Sequence, residues 1–165
     1  MIQIHLLLEG IDGETADDSY RGGIDVLKYK WGAVNRNNST APHAARGGVP
    51  AYVNELSLNK YVDSSSSDLL RTLVLSEHIP RGTLVVRRGK NRSGDSHDYL
   101  TFKMNNIMVS SIDMEVSDGE LVLTEAIILN FSEFEFQYYK LDEDGSAQPT
   151  TSFRFDMAEN SEVLK

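Results

Sequence analysis

Four consecutive residues, Asp95, Ser96, His97 and Asp98, contain the side-chain types of a hydrolytic triad. A nucleophile, its base and the group that orients the base must converge from separate parts of a fold, which neighbours on one short run cannot do. The run therefore reads as a polar hairpin tip, and no catalytic residue is assigned. The stretches DGETADD (12–18) and DEDG (142–145) are dense in carboxylates, as calcium loops are. Both lack the alternating oxygen ligands and closing glutamate of an EF-hand, and Asp-Gly is the ordinary chemistry of a tight corner. RGGVP (46–50) has neither the lysine nor the bracketing strand and helix of a phosphate loop. His5, His43, His78 and His97 stand far apart, and the chain holds no cysteine, so no metal site and no cofactor are assigned. Asn37, Asn38, Asn91 and Asn130 head glycosylation sequons that no secretory signal accompanies. The basic run RRGKNR, with Arg87, Arg88, Lys90 and Arg92, is the sharpest charge cluster. It reads as a solvated hairpin tip or as a docking patch for an acidic surface.

The elements that must position these residues are mostly strands, because apolar and polar residues alternate with period two along most of the chain. Ile2, Ile4, Leu6 and Leu8 share one face of a first strand, with Gln3, His5 and Glu9 opposite. Over 24–31, Leu27, Tyr29 and Trp31 form a core face, and Val26, Lys28 and Lys30 a solvent face. Residues 33–50 have loop composition and are long for a loop, a length that usually marks function. A third strand covers 52–62, with Leu56 and Leu58 inward. In SSSSDLLRTLVLSEHIP the period changes. Leu69, Leu70, Leu73 and Val74 repeat at helical spacing behind serines able to cap, which predicts one α-helix over about 67–78. His78 then falls in the last turn and Pro80 just beyond it.

GTLVVRR and DYLTFKM form a hairpin around residues 89–97. SSIDMEV and ELVLTEAIILNF flank Asp118-Gly119, a two-residue hairpin signal, with Leu121, Leu123, Ile127, Leu129 and Phe131 inward. From Phe134, Phe136 and Tyr138 the inward parity becomes even, which predicts a β-bulge near Ser132 and Glu133. A last short strand, SFRFDM, precedes a tail expected to fray. The fold class is mainly β: a two-sheet β-barrel with one flanking helix, as a single domain over 1–165.

The net charge of -9 is unevenly spread. Residues 1–112 are nearly neutral, whereas 113–165 carry only Lys140, Arg154 and Lys165 against a large excess of carboxylates. An acidic surface repels phosphate backbones and anionic lipid, so neither a nucleic acid nor a membrane is the expected partner. The asymmetry suits a head-to-tail contact between copies or simply a solvated surface. The opening residues have no basic start and only a short apolar run, so neither a signal peptide nor a spanning helix is expected, and synthesis should end in the cytoplasm.

GETADD followed by IDVLKYKWG resembles the start of the Hcp family, the haemolysin-coregulated proteins that form the tube of bacterial type VI secretion systems. LSLNKYVDSSSSDLL resembles that family's strand-into-helix segment, and LTEAIILNFSEFEFQYY its penultimate strand. The motifs follow one another in the family's order. Departures are Thr15 for the usual serine, Gly22-Gly23 for bulkier residues, Tyr29 for a frequent tryptophan, and Lys30 at a position often held by a small residue facing the lumen.

The resemblance implies a barrel with a flanking helix, a homo-hexameric ring, and stacked rings that a contractile sheath expels behind a spike protein. It also implies shelter for secreted effectors inside the ring, export without a signal peptide, and no enzymatic activity. On this pattern Leu27, Tyr29 and Trp31 anchor the core, and Lys28 and Lys30 line the inner wall. The loop bearing Arg36, Asn37, Asn38, His43 and Arg46 would reach a neighbouring subunit or ring. Rival readings are a tail-tube protein of a phage or related contractile particle, a monomeric ligand-binding β-barrel, and an enzyme. Two interfaces on one small domain must be held by apolar burial, at about 25 cal/mol per Å², since exposed ion pairs contribute only about 0–1 kcal/mol each.

Overall fold

The computed structural model describes residues 1–35, 51–88 and 96–164. Its strands are β1 (Ile2–Leu8), β2 (Ile24–Lys30), β3 (Ala33–Val34), β4 (Tyr52–Val53), β5 (Leu56–Tyr61), β6 (Ile79–Arg88), β7 (His97–Glu115), β8 (Thr124–Leu141), β9 (Ala147–Pro149), β10 (Phe153–Asp156) and β11 (Ser161–Glu162). The helix α1 (Ser65–Val74) lies between β5 and β6. Six antiparallel strands run β8-β5-β2-β1-β6-β7, and pairing of β7 with β8 closes them into a barrel. Strands β9 and β10 add to β8, β11 adds to β10, and β3 pairs with β4 in a separate two-stranded sheet. Closure removes the two long free edges that an open sheet of this length would present.

Alternation places Leu6, Leu8, Ile24, Val26, Leu56, Leu58, Leu84, Ile127 and Leu129 inside, where they fill the barrel. The two longest strands switch parity together. Phe102 and Met104 on β7 are buried, then Ile107 and Val109; on β8 the buried pair Leu129 and Phe131 gives way to Phe134. The switch falls where the sequence predicts it. It is not a one-sided bulge, however: Asn105 pairs with Glu133 and Ile107 with Phe131, so the register is unchanged across it. Asn106, at φ 53°, turns β7 in step with Ser132. One-sided register shifts lie instead at Val26/Lys28, Val86/Arg87 and Val109/Ser111.

Several sequence-based expectations need correction. The bulge in β2 turns Leu27 outward, 43% exposed, so the core side chains of this strand are Ile24 and Val26, with Tyr29 and Trp31 packed against them. Helix α1 ends at Val74, leaving His78 outside it and Pro80 within β6. Only Leu69 of its apolar residues is fully buried, while Leu70 and Val74 face out. Ser64 holds the N-cap position but its side chain makes no capping bond; Asp63 Oδ1 instead accepts from Ser65 N at 2.9 Å. β7 and β8 are joined by an eight-residue connection, 116–123, rather than by a tight two-residue turn, and Leu121 and Leu123 are exposed there. Ser161 and Glu162 in the tail pair with β10 instead of fraying.

Candidate functional site

The outward face of β2, β5, β8 and β7 is continuous and can be followed residue by residue. Lys28 pairs with Asn59, Asn59 with Ala126, and Ala126 with Asp113. One row along, Lys30 meets Ser57, Ser57 meets Ile128, and Ile128 meets Ser111. Beyond the first row, Tyr61 opposes Thr124, which opposes Glu115. Both lysines are exposed. Towards the β7–β8 connection the face hollows into a groove of about 590 Å³, with Leu27, Tyr61 and Val122 supplying apolar surface and Asp113, Glu115 and Glu120 supplying charge.

The DGETADD stretch is a corner that roofs the neighbouring strand. Gly13 must be glycine, since a Cβ there would lie 2.5 Å from the Gly23 carbonyl oxygen. Under this roof His5 is 3% exposed, although its parity predicts solvent. Its Nδ1 lies 3.0 Å from Asp25 Oδ1 and its Nε2 3.5 Å from Asp17 Oδ2, and the ring stacks on Tyr20. Arg87 closes the cluster, donating to Asp17 Oδ2 at 3.0 Å and to Asp98 Oδ1 at 3.2 Å. Burial and a hydrogen bond to Asp98 push the Tyr20 hydroxyl well above the ordinary phenol range. Arg87 thus leaves the proposed basic patch: it is buried and committed to two carboxylates. Arg88 remains exposed over the Tyr99 ring at 5.5 Å. Lys90 and Arg92, and the loop residues Arg36, Asn37, Asn38, His43 and Arg46, lie outside the described residues.

A second ion cluster was missed by reading the sequence. Lys60, 0% exposed, donates to Glu125 Oε1 at 2.7 Å, Asp63 Oδ1 at 2.8 Å and the Tyr61 carbonyl at 2.7 Å. The signal was present: Lys60 continues the inward parity of Leu56 and Leu58, and Glu125 that of Ile127 and Leu129. Opposite charges at inward positions of paired strands announce a buried pair.

Burial raises the carboxyl pKa of Asp63, but hydrogen bonds from Lys60 and Ser65 outweigh it and leave the group below its ordinary value. Asp17 is likewise lowered, because the Ser19 amide and Arg87 outweigh its desolvation. A depressed carboxyl stabilises the fold above its unfolded-state pKa, near 3.9, and loses that contribution as pH falls through the folded value. The melting temperature should therefore hold between pH 7 and about pH 5 and drop below about pH 4. Thermal melts followed by circular dichroism check this, and Asp63→Asn should flatten the acid limb while lowering stability at pH 7.

At the barrel mouth Trp31, Ala33, Ala51, Val53, Phe134, Phe136, Phe153 and Phe155 line a half-open apolar cleft of about 360 Å³. It arises where β5 leaves β8 after Leu129 and β10 takes over at Glu133. Below it the barrel interior is filled by its own side chains among the described residues. Among the described residues no group of three His, Asp or Glu side chains is placed to hold a metal ion, and no helix is long and apolar enough to cross a membrane. The site is a set of surfaces suited to contact.

Comparison with known proteins agrees with that character. Residues 5–138 match the family model described as type VI secretion system effector, Hcp. The chain is 30% identical over 147 residues to protein hcp1 of Pseudomonas aeruginosa, covering 88% of each. It superposes on the crystal structure of Hcp1 from Salmonella typhimurium with a TM-score of 0.77 at 27% identity, covering 98% of this chain and 99% of that one. A structure of a type six secretion system protein shares the fold with a TM-score of 0.88 at 22% identity, over 99% and 100% of the two chains. With the family model spanning most of the barrel and the solved structures matching nearly end to end, the chain belongs to the Hcp family, the structural tube proteins of type VI secretion.

Proposed function

We propose that the chain closes with five further copies into a ring, that rings stack into the secretion tube, and that effectors travel inside it. The spike protein at the tip and the contractile sheath outside are its other partners. It is exported through the apparatus, and it acts as one domain without catalysis. The observation that carries this reading is the four-stranded outward face on an Hcp fold. At about 4.8 Å per strand the face is about 19 Å wide, and six side by side enclose a channel about 37 Å across. Lys28 and Lys30 would project into that channel from β2 and Asp113 and Glu115 from β7, with the small neutral Ser57, Asn59 and Ala126 between them. The loop with Arg36, Asn37, Asn38, His43 and Arg46 would meet the adjacent subunit or ring. Arg88, with Lys90 and Arg92, would dock on an acidic surface of a neighbour.

Size-exclusion chromatography with light scattering should give about six times the 18.4 kDa chain mass, and negative-stain images should show a central hole. A strictly monomeric species at high concentration would overturn the reading.

A further inference from the structure

The two edges of the outward face carry opposite charge. Lys28 and Lys30 project from β2, while Asp113 and Glu115 project from β7, and all four are exposed. The outward residues between them, Ser57, Asn59, Ala126 and Thr124, are uncharged. None of the four charged groups forms an ion pair among the described residues; Asp113 only accepts from the Ser111 hydroxyl at 3.0 Å. Three interstrand steps separate Lys28 from Asp113 along its row, about 14 Å, which exceeds the screening length of about 8 Å at physiological salt. The edges are therefore too far apart to neutralise each other within one molecule. Exposed apolar surface accompanies each edge: Leu27 is 43% exposed next to Lys28, and Met114 and Val116 flank Glu115 at 55% and 52%.

We propose that the lysine edge of β2 in one copy seats against the carboxylate edge of β7 in a second copy, with Lys28 and Lys30 facing Asp113 and Glu115. This names the lateral contact of the ring and rests on the ring reading. Each copy offers one edge of each kind, so the contact is heterologous and repeats in one rotational sense until it closes. Two-fold pairing of like edges would set lysine against lysine or carboxylate against carboxylate, and repulsion rejects it. Exposed ion pairs are individually weak, so Leu27, Met114 and Val116 supply adhesion while the charges supply direction and salt dependence.

Four proteins test this at low ionic strength: the wild type, Lys28→Glu/Lys30→Glu, Asp113→Lys/Glu115→Lys, and the variant combining all four changes. Sedimentation velocity reads the assembly state, and circular dichroism confirms the fold. Each double reversal should raise the concentration for half-assembly by about tenfold or more, and the combined variant should recover. The neutral variant Lys28→Gln/Lys30→Gln should assemble with a shallower salt dependence than the wild type. A wild type that forms rings while both double reversals assemble at an unchanged concentration overturns the edge pairing and leaves the ring reading standing. So does a combined variant that stays dissociated. A wild type that never assembles overturns the ring reading itself, and the pairing with it.

Discussion

Replacing Lys60 with alanine should lower the unfolding free energy by about 3–5 kcal/mol, the largest effect expected of any single substitution of a charged residue in this chain. Lys60 Nζ holds Glu125 Oε1, Asp63 Oδ1, Ser66 Oγ and the Tyr61 carbonyl together at the foot of α1. Removing it strands a Glu125 carboxylate that is 2% exposed and takes away a partner of Asp63, which caps the helix. The penalty comes from the unpaired charge left behind rather than from the pair itself, since a buried ion pair roughly offsets its own desolvation. A double variant, Lys60→Met with Glu125→Leu, should therefore regain most of the loss. Urea denaturation of the single and double variants decides between these accounts. If the double variant is as unstable as the single, the pair contributes specific stability that an apolar replacement cannot supply.

Trp31→Ala should cost about 3 kcal/mol, at the lower end for a large aromatic because the side chain is only partly buried. Its ring sits 4.4 Å from the Phe102 centroid and 5.1 Å from that of Phe134, joining the barrel core to the cleft formed with β10. Trp31→Phe should cost no more than about 1 kcal/mol, because the buried Nε1 has no hydrogen-bond partner among the described residues and phenylalanine removes that unsatisfied donor as it gives up volume. Thermal melts followed by far-UV circular dichroism measure both changes, the only tryptophan being the residue replaced. A Phe variant as unstable as the Ala variant would mean that the indole nitrogen matters more than ring packing.

The barrel itself was legible because period-two alternation is local. Leu56 and Leu58, or Ile127 and Leu129, announce their inward face within a few residues, and the parity change from Phe131 to Phe134 is visible without coordinates. Leu27 was misplaced because a bulge adds a residue on one strand without altering its composition. Leu121 and Leu123 are exposed because apolar type does not imply burial in a connection that lies at the surface. His5 was misplaced for the opposite reason: the corner 12–20 folds over it from outside its own strand. Arg87 looked free in a basic run, yet Asp17, remote in sequence, claims it.

By itself the sequence determined a mainly β chain, one helix near residue 70, an acidic final third, and order-preserving motifs of the Hcp family, since each depends on neighbours along the chain. Tertiary structure alone decided which charges are buried, as with Lys60 and Glu125, and which are left at the rims of one face, as with Lys28, Lys30, Asp113 and Glu115. Burial and pairing are set by what the fold brings within a few ångströms, and strand order across the barrel is a non-local property that periodicity does not encode.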